Sequence, residues 1–236
     1  MEIVKPKVLV PVSEMDPAKT QKLERYARTC YKSEDKMKDG ELIEFLINRG
    51  HESVIEHEKV TVMFVIDRGV SHELVRHRIA AYSQESTRYC NYSKDKFSNE
   101  ATFIMPYFYD GRSEEYEAWK ESCWQAEKNY LKLLKQGSTP QEARSVLPSS
   151  LKTEIVTTFN MREWRHFFKL RASKESHPQI RQVAIPLVKE FVEVYPEMFA
   201  DIYYDYSLSR AFDKSHYADI VYTDILFNPL VEEVVI

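Results

Sequence analysis

Two hydrophobic periods alternate along the chain. Residues 7–12 (KVLVPV) read as a short strand, and residues 17–30 and 34–49 as helices. In the second helix Leu42, Phe45 and Leu46 recur at i, i+3 and i+4. Val60 to Ile66 (VTVMFVI) is apolar and β-branched, the composition of a buried strand. Asp67-Arg68-Gly69 reads as a turn, after which Ser71 is expected to cap a helix running through Arg76-His77-Arg78. Residues 82–99 are polar and expected as a long loop, and Ala101 to Met105 as a strand stopped by Pro106. Residues 113–136 predict a long amphipathic helix with Tyr116, Trp119, Cys123, Tyr130, Leu133 and Leu134 on its apolar side. Pro140 opens a short helix through Arg144, which Pro148 ends. Residues 151–159 read as a strand, and 160–172 and 178–194 as helices. The tail 203–236, rich in Tyr and Asp with an apolar end, is expected as a C-terminal arm on this or a neighbouring subunit. No repeat or Pro/Gly/Ser linker divides the chain, so residues 1–236 are expected to form one α+β domain.

Composition narrows the classes. A chain of 236 residues with 43% hydrophobic and 30% charged residues can bury the core of a globular domain. A net charge of -4 argues against a general nucleic-acid binder. No run approaches ~18 apolar residues, so no membrane span is expected. The start, MEIVKPKVLVPVSEMDP, lacks the apolar core of a secretory leader, and Cys30, Cys90 and Cys123 form no C-x-x-C pair; both features lead us to expect a cytoplasmic protein. The five glycines stand alone, which excludes a G-x-G-x-x-G or P-loop cradle. Nucleotide phosphates would then have to be held by arginines.

Arginines do cluster. Arg76, His77, Arg78 and Arg88 fall within thirteen residues, close to Ser86. Neighbouring guanidinium groups repel unless they meet anions, and an arginine fork beside a hydroxyl grips phosphate well. On the expected helix Arg76 and Arg78 would stand about 200° apart and face different ligands. The bland alternative is surface arginines paired with Glu73 or other acids. In the 160–171 segment Trp164, Phe167 and Phe168 share a helical face, with Arg171 projecting into it and Arg162 and His166 opposite. Arg171 there either meets an anion or snorkels to the surface. His51-Glu52-Ser53-Val54-Ile55-Glu56-His57 invites a metal, but H-E-x-x-H would need a histidine where Ile55 stands, and no metal is expected. Its charges are either solvated or paired, or else line a cofactor pocket at a strand edge. A basic patch for nucleic acid and a nucleotide binder without catalysis are the rival classes for the whole set.

Taken in order, these segments resemble the flavin-dependent thymidylate synthases. That family's R-H-R-x-x-S-x-N-E-x-S-x-R-Y signature runs here from Arg76 to Tyr89, with Arg76, His77, Arg78, Ser86, Arg88 and Tyr89 matching. Ala81, Ser83 and Gln84 depart from Ser, Asn and Glu. Gly50 to His57, Glu142 to Pro148, and Asn160-x-Arg162 with His166-Phe167-x-x-Leu170-Arg171 also look like the family, over about residues 20–202. The resemblance implies a thymidylate synthase-complementing type fold, with a mixed or antiparallel sheet flanked by helices. It further implies a homotetramer with active sites between subunits. It implies that dUMP is methylated to dTMP with carbon from methylenetetrahydrofolate and hydride from FAD reduced by NADPH. By the same resemblance Ser53, Arg76, His77, Arg78, Gln84, Asn160, Met161, Arg162 and His166 contact FAD, and His177 lies near the flavin. Glu73, Leu74, Val75, Arg76, Gln84, Glu85, Ser86, Thr87, Arg88, Arg144 and Arg171 surround dUMP. Glu73 stands where the family commonly has glutamine. Within that frame no enzyme nucleophile is needed, and Arg171 is the candidate catalytic group, stabilising negative charge on the uracil.

Overall fold

The structure is a computed structural model that describes residues 1–36, 38, 40–93, 100–109, 113–205 and 217–230. Its centre is the pair β3 (Lys59–Asp67) and β6 (Lys152–Asn160), antiparallel along their full length from Lys59↔Asn160 to Asp67↔Lys152. Alternation sets their buried face: Val60, Val62, Phe64 and Ile66 oppose Phe159, Thr157, Ile155 and Thr153. The sheet is completed by β4 (Ala80–Gln84) on β6 and by β2 (Lys7–Pro11) on β3, both antiparallel. Outside β2 lies β7 (Asp219–Thr223), which pairs with it in parallel. The order is therefore β4-β6-β3-β2-β7, a mixed sheet within an α+β fold. Two short strands, β1 (Glu2–Val4) and β5 (Thr102–Ile104), form a separate parallel pair.

Helices α1 (Ala18–Tyr31), α2 (Glu41–Asn48), α6 (Met161–Arg171), α7 (Pro178–Val194) and α8 (Pro196–Asp205) contribute to the main core. Trp164 is wholly buried, with its ring 4.6 Å from Phe159 and 5.1 Å from Phe191. Its indole N–H donates to the Val60 carbonyl at 3.1 Å. Each such buried ring contributes roughly 1.5–3 kcal/mol relative to exposure, so this cluster clamps α6 onto the sheet. Helices α4 (Glu114–Lys135) and α5 (Pro140–Ala143) cover a smaller core around Phe103, Cys123, Tyr130 and Leu151. Among the described residues no helix is long and apolar enough to cross a membrane.

Three local expectations change. Asp67 ends β3 and caps α3 (Arg68–Leu74) directly, its carboxylate accepting from Val70 N–H at 2.8 Å, so no turn intervenes. The helix therefore starts three residues before Ser71 and ends at Leu74, before Arg76-His77-Arg78. The expected loop over 82–99 begins instead inside an edge strand, β4 (Ala80–Gln84), because β6 supplies its hydrogen-bond partners. Ala81 and Ser83 stand exposed on its other face, and with no apolar run the sequence reads as loop. Residues 94–99 of that expected loop lie outside the described residues. The expected helix over 34–49 is broken at Gly40, whose φ of +85° is left-handed and whose missing Cβ would lie 2.7 Å from Glu197. The Glu24 carboxylate accepts from Lys38 N–H and Gly40 N–H at 2.9 and 2.6 Å, fixing that break. Within the expected tail arm, β7 pairs with β2 of this chain, and residues 206–216 and 231–236 lie outside the described residues.

Candidate active site

The antiparallel β3–β6 pair launches two helices from opposite ends. Asp67 caps α3 at one end, and Asn160, accepting from Glu163 N–H at 2.8 Å, caps α6 at the other. The helix α6 ends at Arg171, where its side chain reaches the end of α3.

At that meeting point Arg171 is gripped three ways. Its Nε donates to His77 Nε2 at 3.1 Å, Nη1 to Glu73 Oε2 at 2.6 Å and Nη2 to the Glu73 carbonyl at 3.0 Å. The guanidinium does not enter the aromatic face as expected. Trp164, Phe167 and Phe168 fill that face completely, and the terminal Arg171 turns instead to the carboxylate of Glu73. A guanidinium carries five N–H groups. Three are used by the described residues, which leaves two for a ligand.

His77 is buried, its other nitrogen lying 2.9 Å from Glu163 Oε1. Burial holds its pKa below the ordinary histidine value, although the Glu163 hydrogen bond opposes this. Its ring packs edge-on against Phe167 at 5.2 Å and His166 at 5.5 Å. Tyr82 Oη lies 2.8 and 2.7 Å from the carbonyls of Leu74 and His77 and pins the segment that carries the arginines. The ligating atoms of His77, Glu163 and His166 lie within 4.8 Å of one another, but both His77 nitrogens are occupied by Glu163 and Arg171.

Arg76 and Arg78 follow α3 and are both exposed, with buried His77 between them. Among the described residues neither makes an ion pair, so Glu73 belongs to Arg171 rather than to them. Nearby, the exposed Arg162 and His166 line the outer face of α6 as expected. Arg162 meets Glu56 at 2.5 Å and Glu52 at 3.8 Å, which sets it beside the 3-10 segment Glu52–His57 that carries exposed Ser53. Met161 is fully buried, so its side chain lies in the core rather than at this surface. His177 is exposed, caps α7, and sits 5.9 Å from the Phe108 ring.

The Gln84 to Arg88 segment divides by face. Gln84 Nε2 donates inward to Ser71 Oγ at 3.0 Å and Thr153 Oγ1 at 3.2 Å. Glu85 accepts from Tyr92 at 3.0 Å and faces Lys152 at 3.5 Å. Thr87 Oγ1 accepts from Arg144 at 3.1 Å, which brings the isolated Glu142 to Pro148 segment to this loop. Ser86 Oγ accepts from Arg88 N–H at 3.3 Å, and the Arg88 guanidinium stands 5.4 Å from the Tyr89 ring. Within the described residues no hydrogen bond or ion pair joins Arg88 or Arg144 to Arg171, and Gln84 links the loop of Arg88 to α3, where Arg171 is tied, through Ser71. Leu74 is buried and Val75 exposed. Cys90 N–H donates to the Ser86 carbonyl at 2.9 Å, and burial pushes the Cys123 thiol up to about 11, which disfavours a thiolate.

Two groups escaped the sequence reading. Glu163 is buried against His77, and Glu52 with Asp201 holds the buried Arg165. The available signal was a carboxylate at 163 and a guanidinium at 165 flanking the apolar Trp164; neither side chain tolerates burial without a partner.

Residues 12–197 match the family described as thymidylate synthase complementing protein. The flavin-dependent thymidylate synthase of Pyrococcus abyssi is 38% identical over 151 residues, covering 63% of this chain and 60% of that protein. The match thus spans less than two thirds of that relative. The enzyme of the same name from Geobacter sulfurreducens is 35% identical over 188 residues, covering 74% of this chain and 78% of its own. A solved UMP/dUMP methylase from Streptomyces cacaoi, bound with 5-Br dUMP, superposes with a TM-score of 0.69 at 21% identity, over 88% of this chain and 99% of that one. At that identity the likeness concerns the fold.

Proposed function

The chain belongs to the thymidylate synthase complementing protein family, and from that membership we propose that it methylates dUMP reductively to dTMP, with methylenetetrahydrofolate as carbon donor and NADPH as reductant of a bound FAD. The observation that carries this reading is Arg171, oriented by His77 and Glu73 with two N–H groups left for a ligand. The enzyme acts in the cytoplasm as a homotetramer. Active sites completed between subunits are part of this reading.

The donor set fits the flavin nucleotide. Arg76 and Arg78 lack carboxylate partners among the described residues, and Arg162, His166 and the Ser53 hydroxyl are exposed on α6 and on the Glu52–His57 segment. Charges and hydroxyls of this kind suit a diphosphate in a chain with no glycine cradle. Arg76, Arg78, Arg162, His166, Ser53 and the Asn160 side chain would hold FAD, with Met161 and Gln84 acting from within the fold and His177 at its edge. FAD, when bound, supplies hydride to the substrate carbon and takes part in carrying the one-carbon unit. Arg88, Ser86 and Arg144 hold the dUMP phosphate, and Glu85 and Thr87 position that loop. Glu73, Leu74 and Val75 line the base. Arg171 stabilises the negative charge that builds on the uracil as its C5 becomes nucleophilic. The purified protein is expected to be yellow and to release FAD on denaturation; a colourless preparation that takes up no added FAD would sink the proposal.

Arg88→Ala is expected to weaken dUMP binding tenfold or more, because a charge-assisted hydrogen bond contributes on the order of 1.5–3 kcal/mol. FAD binding should change little. Separate titrations of the two ligands decide the matter, and equal losses would assign Arg88 to the fold or the flavin.

A further inference from the structure

Arg171 and Glu163 stand eight residues apart on α6, and buried His77 bridges them. The bridge has a direction. A guanidinium only donates, so His77 Nε2 must present its lone pair to Arg171 Nε. The ring proton then resides on Nδ1, where Glu163 Oε1 accepts it at 2.9 Å. Glu163 is buried in the first turn of α6, where the Asn160 cap holds its backbone N–H. The imidazole is fixed in turn by Phe167 and His166 on its edges. We infer that Glu163 is a positioning residue: it selects the Nδ1–H tautomer of His77 and thereby aims the Arg171 guanidinium at the substrate. The inference rests on the reading that Arg171 acts on uracil. It extends that reading to a carboxylate that touches neither Arg171 nor any group assigned to substrate.

The fork geometry explains why such support matters. With Nε tied to His77 and both terminal nitrogens tied to Glu73, the guanidinium plane is set by three acceptors. If His77 took the other tautomer, Nε2–H would confront Arg171 Nε–H. The Arg171 side chain would then rotate about its two remaining anchors. A misplacement of about 1 Å at a reacting group can cost about 10²-fold in rate.

The test uses the full-length FAD-loaded protein, labelled with 15N-histidine, beside Glu163→Leu and Glu163→Gln. The ring shifts of the parent should show His77 with Nδ1 protonated and Nε2 bare. Glu163→Leu should lose that pattern and form dTMP about 10²-fold more slowly in a single turnover, with flavin reduction by NADPH near the parent rate. Glu163→Gln, whose amide oxygen can still accept from Nδ1–H, should recover most of the rate. A proton on Nε2 in the parent would overturn the inference, and this measurement needs no folded Leu variant. Parent-like product formation by Glu163→Leu, or a Gln variant as slow as Leu, would also overturn it. A parent that makes no dTMP would instead sink the reaction itself, a failure the tautomer measurement does not share.

Discussion

Arg171→Ala should lower single-turnover dTMP formation by ~10²–10³, the usual cost of losing one preorganised donor to a developing anion. Reduction of the bound flavin by NADPH should stay near the parent rate, because Arg171 is tied to α3 and His77 and not to the Arg162 and Ser53 cluster. Lysine should rescue poorly. Its ammonium is a point charge, and it cannot meet His77 Nε2, the Glu73 carboxylate and the Glu73 carbonyl in one plane while still offering two donors to uracil. Both steps can be followed in the same stopped-flow mixture. If Arg171→Ala makes dTMP at the parent rate, Arg171 is a structural arginine and Arg88 becomes the next candidate.

Asp201→Ala should destabilise the fold by about 3 kcal/mol, the lower end of the cost of stripping a partner from a buried charge, because Arg165 is buried while Asp201 is partly exposed. Arg165 is almost wholly buried, and its fork meets Asp201 at 2.8 and 2.7 Å, Glu52 at 3.1 Å and the Met198 carbonyl. Without Asp201 a charge remains inside with one carboxylate for company. For a chain of this size the loss corresponds to a fall in Tm of roughly 6–12 °C, read by calorimetry. The pH dependence has a definite sign. Burial alone would raise the Asp201 pKa, but the Arg165 fork outweighs it and holds the carboxyl below its ordinary 3.8. A depressed folded value means the stabilisation is fully present above 3.8 and is lost as pH falls through that lower folded value. The gap between parent and variant should therefore close only in strong acid. An unchanged Tm at neutral pH would mean that Glu52 and the Met198 carbonyl suffice for Arg165.

Much of this protein was legible before any coordinates. Strands β3 and β6 and helices α4, α6 and α7 announce themselves through apolar period, β-branching and prolines, because their partners lie within their own segment or on one uniform face. The scarcity of glycine and the clustering of Arg76, Arg78 and Arg88 pointed to phosphate held by side chains. Arg76, Arg78 and Arg88 stand exposed, without carboxylate partners among the described residues.

Tertiary structure alone decided the rest, and the physical reason is the same each time. Residues 80–84 become a strand only because β6 offers a hydrogen-bonding edge, which no local pattern records. The Arg76 to Arg78 segment leaves the helix because Asp67, not Ser71, supplies the cap and α3 is spent by Leu74. Arg171 meets Glu73 across a separation of 98 residues, and His77 meets Glu163 across 86. Residue types announced charges that needed partners; only the antiparallel register of β3 and β6, which launches α3 and α6 from opposite ends, determined which partners those charges found.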